Sequence, residues 1–68
     1  MTDKEKMIEI TKGAFIKYRI AYNDRSTNFR DLEFEFNRYF FYMRMLGGVY
    51  PELDRKALEL EWESEIGE

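Results

Sequence analysis

The sequence predicts an all-α fold, either a small three-helix bundle or a helical hairpin carrying a third helix, and three observations predict it. Two long stretches place apolar residues at helical spacing, one before residue 23 and one after residue 28. The run between them, Asn23-Asp24-Arg25-Ser26-Thr27-Asn28, is polar and rich in turn formers. The chain after Pro51 is built from Ala, Leu, Glu, Lys and Arg, the strongest helix formers.

The first segment spans Thr2 to Tyr22. Thr2 followed by Glu5 fits a capping box, which satisfies free N–H groups at a helix start. Asp3 and Glu5 also suit the positive end of the helix dipole. Met7, Ile10, Ala14, Phe15, Tyr18, Ala21 and Tyr22 fall on one face at about 100° per residue. Gly13 interrupts that pattern at a cost of about 1 kcal/mol. The second segment spans Phe29 to Leu46, with Thr27 or Asn28 as its cap. Phe29, Leu32, Phe36, Tyr39, Phe40 and Met43 share a face, and Gly47-Gly48 reads as a stop, because glycine accepts the left-handed conformation at a helix end. The third segment starts after Pro51, a residue favoured in the first turn of a helix, and covers Glu52 to Ile66. Gly67-Glu68 is expected to fray.

An α+β arrangement with an N-terminal hairpin is the alternative. Residues 16–22, 32–37 and 58–63 all alternate apolar and polar with period two, the signal of a strand. The first two stretches also hold residues that favour strands, and residues 23–28 offer a hairpin turn. The third is too rich in Glu and Leu to compete as a strand.

Sixty-eight residues make one domain, 1–68, with no repeat and no linker. Domains of this size bury only about 60% of their unfolded surface and usually need a staple. The chain holds no Cys and no His, so disulfides, thiolate ligands and imidazole ligands are absent. No calcium-loop motif occurs, and neither a metal nor a cofactor is expected. A partner chain is the staple that remains. The charged start lacks the apolar core of a signal peptide, and no apolar run approaches the ~20 residues of a membrane span, so a cytoplasmic protein is expected.

The same inventory disfavours an enzyme. The commonest general base and the thiol nucleophile are missing, and Ser26 and Ser64 lack a nucleophile-elbow context. No phosphate-binding glycine loop occurs. Asp31, Glu33 and Glu35 are the carboxylates nearest to a glycosidase-like pair, but they read more simply as a solvated edge.

What the sequence does offer is a second apolar stripe. On helices, Ile16 and Ile20 lie about 160° from Tyr18, while Phe34, Phe41 and Met45 lie about 140–180° from Phe36, with Tyr42 beside them. A lone three-helix domain needs one apolar face per helix, so a second face implies a cover. Aromatics supply 18% of the chain, and Arg38 and Arg44 flank the stripe in the composition usual for interface hot spots. The expected function is a small protein-binding module, acting as a homodimer or as an inhibitor or adaptor of a larger protein. Its interface residues would be Ile16, Ile20, Phe34, Arg38, Phe41, Tyr42 and Met45. Size alone suggests a bacterial or viral setting, in which phages and mobile elements use compact regulators of host machinery.

Two nucleic-acid alternatives follow from the charge. The whole chain carries −3, but residues 1–30 hold seven basic against four acidic side chains, and residues 51–68 two against seven. The basic half would bind phosphates through Lys12, Lys17, Arg19, Arg25 and Arg30, with Phe15, Tyr18 and Tyr22 stacking on bases. The acidic half, through Glu59, Glu61, Glu63, Glu65 and Glu68, would mimic nucleic acid. The simpler expectation is that the two halves attract each other.

Overall fold

A computed structural model describes residues 2–66, and within them the chain forms three helices and no strand. They are α1 (Asp3–Asn23), α2 (Phe29–Val49) and α3 (Arg55–Ile66). The hairpin alternative is therefore overturned: residues 16–22, 32–37 and 58–63 are all helical. In helices, period-two alternation merely spreads apolar groups around the axis, which is how the second stripe arises. The frayed end expected at Gly67-Glu68 lies outside the described residues.

The helix starts follow local chemistry. The Thr2 Oγ1 accepts from the Glu5 N–H at 3.1 Å, and the Thr2 N–H donates to Glu5 Oε1 at 2.9 Å, completing the capping box. That hydrogen bond from the Thr2 backbone holds the Glu5 carboxyl below the usual carboxylate range. Asn28 caps α2 by accepting from the Asp31 N–H at 2.8 Å. Between the helices, Asp24 accepts from the Ser26 hydroxyl and N–H, which lowers its pKa and folds the turn.

The helix ends near residue 50 correct the sequence reading. α2 runs through Gly47 and Gly48, and neither takes a positive φ. The stop lies at Tyr50, which adopts φ −125 and ψ 72. Tyr50 precedes Pro51, whose ring clashes with a helical residue before it. Pro51 in turn belongs to a tight turn, closed by Leu53 N–H to Tyr50 O, rather than to the first turn of α3. That first turn is held instead by Asp54, which accepts from the Ala57 N–H at 3.2 Å.

α1 and α2 form an antiparallel hairpin, with Phe15 against Tyr39 and Tyr18 against Phe36. The core is Ala14, Phe15, Tyr39, Met43, Leu46 and Trp62. Thr11 is buried with them, its hydroxyl satisfied by the Met7 carbonyl at 2.8 Å. α3 lies across the hairpin. Its first half meets α2, where the Tyr39 hydroxyl donates to Glu59. Its second half meets α1, where Trp62 packs on Phe15 at 5.6 Å between centroids. Glu63 and Glu65 reach Arg19 and Lys12, which stand seven residues apart, so α3 crosses α1 rather than running along it.

α3 is short for the work of a third layer. Twelve residues span about 18 Å, against about 31 Å for each 21-residue partner. Several residues expected in the core are consequently exposed: Tyr22, Phe29, Phe36 and Phe40, with Phe29 at 78%. The chain exposes 5186 Å² in all, where a compact monomer of this size would expose about 4,600 Å². Its radius of gyration is 12.4 Å, against about 11 Å for a compact domain of this length.

Candidate protein-docking face

α2 is apolar nearly all the way round. One stripe, Tyr39, Met43 and Leu46, is buried. The opposite stripe is bare: Phe34 is 62% exposed, Phe41 60% and Met45 42%. These three recur at steps of seven and four, so they line up along one side of the helix. Arg38 fills the gap in that line. Its guanidinium lies over the Phe34 ring at 5.9 Å, and its Nη2 donates to Glu35 at 2.8 Å. Its Nε is buried and has no hydrogen-bond partner among the described residues.

α1 widens this face. Ile10, Gly13 and Lys17 line a shallow groove with Arg38 and Tyr42. Lys17 and Ile20 line the next one with Phe34 and Glu35. Phe41 and Met45 form a third with Asn37 and Arg44. Six of the seven expected interface residues thus share one side of the hairpin: Ile20, Phe34, Arg38, Phe41, Tyr42 and Met45. Ile16 is half-buried and lines none of these grooves.

Sequence reasoning missed Ile10, which it placed in the core. Ile10 is 54% exposed and sits at the α1–α2 seam on the docking side. Its position about 80° from Tyr18 on the helix wheel was the available signal, because it marks the edge of the apolar arc rather than its centre. A further apolar groove lies on the other side of the hairpin beyond α3, lined by Tyr18, Tyr22, Phe29, Leu32 and Phe36.

The charged residues are arranged differently from the apolar ones. Lys12 pairs with Glu65 at 2.6 Å, Arg19 with Glu63 at 3.2 Å and Lys4 with Glu52 at 3.2 Å. The hydrogen bond that Lys12 donates to Glu65 raises the Lys12 pKa. The basic and acidic halves therefore meet within one chain. Lys12 and Lys17 stand about 140° apart on α1, so the five cations of the phosphate-binding expectation do not form one patch. Arg25 is exposed in the loop and Arg30 at the start of α2. Of the acidic series, Glu59 accepts from Tyr39, Glu63 and Glu65 pair with α1, and Glu61 is exposed. Glu68 lies outside the described residues.

Among the described residues, no group of three or more acidic side chains is placed to hold a metal ion. No described helix is long and apolar enough to cross a membrane. No protein-family model matches the chain, and no curated protein or solved structure matches it either.

Proposed function

We propose that this chain is a protein-binding module that docks another polypeptide on the outer face of α2. The carrying observation is the exposure of Phe34, Phe41 and Met45 on the side of α2 opposite its buried stripe. Solvated protein surface does hold apolar atoms, but a contiguous apolar stripe rimmed by polar groups marks a contact site. The rim is here: Lys17, Asn37 and Arg44 border the grooves. Arg38 suits such a site because its charge is already matched by Glu35, so docking strands no lone cation. The reading needs no catalytic group, in keeping with a chain that lacks both His and Cys.

Two methionines test it. Met45 is exposed, while Met43, two residues away, is only 7% exposed and serves as an internal control. Peroxide should oxidise Met45 quickly in the dilute purified chain and slowly in intact host cells, with Met43 slow in both. Phe41→Glu should restore fast oxidation of Met45 in cells. Equal oxidation of Met45 in both settings would mean that nothing covers the face.

A further inference from the structure

We infer that the polypeptide covering this face is a second copy of the same chain, packed with its α2 antiparallel and related by a two-fold axis. The inference rests on the docking face proposed above and names its occupant. The stripe Phe34, Arg38, Phe41, Met45 advances by four, three and four residues, the step that lets one helix seat along another. A stripe of this kind is self-complementary in one register. In it, Phe34 stands level with the partner's Met45, and Arg38 with the partner's Phe41; the two-fold repeats both contacts.

Three observations favour antiparallel over parallel pairing. The first is Arg38. A parallel two-fold would set Arg38 against the partner's Arg38 at the centre of the seam, like charge on like charge. The antiparallel register sets it on an aromatic ring, the environment its guanidinium already shares with Phe34. The second is α1. It flanks the same edge of the stripe in each copy, and an antiparallel two-fold turns equal edges toward each other. Because Phe15 lies beside Tyr39 and Tyr18 beside Phe36, Ile10 then stands level with the partner's Ile20. These isoleucines are 54% and 60% exposed in the single chain, and a parallel pairing leaves both bare. The third is charge: on the opposite edge, Glu33 comes level with the partner's Arg44 within about one turn, twice over.

The area is of the right order. Ile10, Ile20, Phe34, Phe41 and Met45 together present about 500 Å² of exposed side chain, most of the ~800 Å² that one partner gives to a standard interface. It also matches the surplus surface of the lone chain, and a second copy supplies the staple that a cysteine-free domain lacks.

The test uses full-length purified chain. Sedimentation equilibrium of the wild type should show a dimer. Ile10→Cys and Ile20→Cys, each the sole thiol in its chain, should form a mixed disulfide when combined under mild oxidation, and neither should cross-link to itself, because residue 10 and the partner's residue 10 stand about 13 Å apart along the seam. A charge swap reads the same register without touching the apolar face. Glu33→Arg and Arg44→Glu should each weaken the dimer about tenfold, and their equimolar mixture should regain wild-type affinity. A wild type that stays monomeric at high concentration would overturn the second copy; if Met45 is still protected in cells, the docking face stands and its occupant is foreign. A dimer that Phe41→Glu abolishes, but in which residue 10 cross-links to residue 10, would overturn the antiparallel register alone.

Discussion

The two long sides of the α1–α2 hairpin are made from the same kinds of residue and treated in opposite ways. On one side, Phe15, Tyr39 and Met43 are roofed by α3, and Trp62 is 2% exposed between them. On the other, Phe34, Phe41 and Ile20 are each at least 60% exposed. The difference is supplied first by the Trp62 indole, with charge helping to set where α3 lies. α3 is drawn to α1 by pairs that join the basic half to the acidic half. Among the described residues the bare side has no such partner; its one internal pair there, Glu35 with Arg38, lies within α2 itself. Composition alone therefore does not make a core: an apolar face becomes interior only where the rest of the chain is long enough, and suitably charged, to lie over it.

The comparison is broken most forcefully at Trp62. Trp62→Ala removes the one fully buried side chain that α3 contributes and should cost about 3–5 kcal/mol in chemical denaturation, enough to unfold many domains of this size. Tyr39→Phe tests the polar half of the same roof. It leaves Glu59 without its donor and should cost about 1–3 kcal/mol. Burial, reinforced by the hydrogen bond to Glu59, pushes the Tyr39 pKa above its ordinary value of 10.0. The folded state therefore holds that proton more tightly than the unfolded state does. Stability from this source is complete below pH 10 and is lost as pH rises above it, so the alkaline unfolding limb of the wild type should be steeper than that of Tyr39→Phe. The smallest effect belongs to the bare side. Phe34→Ser, measured at dilutions where the chain is monomeric, should shift the unfolding free energy by no more than about 0.5 kcal/mol, because the ring it removes touches mostly water. A loss as large as that of Trp62→Ala would erase the distinction between the two sides.

Much of this was readable from sequence where the cause is local. Thr2 with Glu5 and Asn28 with Asp31 act within one turn, so their caps fall where expected. Ile20, Phe34, Phe41 and Met45 were separable from the core by their angle on the wheel alone. Gly47 and Gly48 misled because glycine permits a helix to end without requiring it; the constraint came from Pro51 acting on Tyr50. The exposure of Phe29, Phe36 and Phe40 was not readable, since it depends on where a twelve-residue helix comes to rest. The burial of Thr11 was hidden for a different reason: its hydroxyl is satisfied by its own helix, which frees a polar side chain to sit inside. Trp62 found its place through Phe15, 47 residues away in sequence, and no periodicity reports a contact of that kind.

The crossing of α3 over α1 has a mechanical consequence. Because α3 crosses the hairpin instead of running along it, few contacts hold it, chiefly the indole of Trp62, the Tyr39 bond to Glu59 and two surface pairs. The last helix can therefore come away while the hairpin beneath keeps its own ladder of bonds, and the free energy of that partial opening lies below that of complete unfolding.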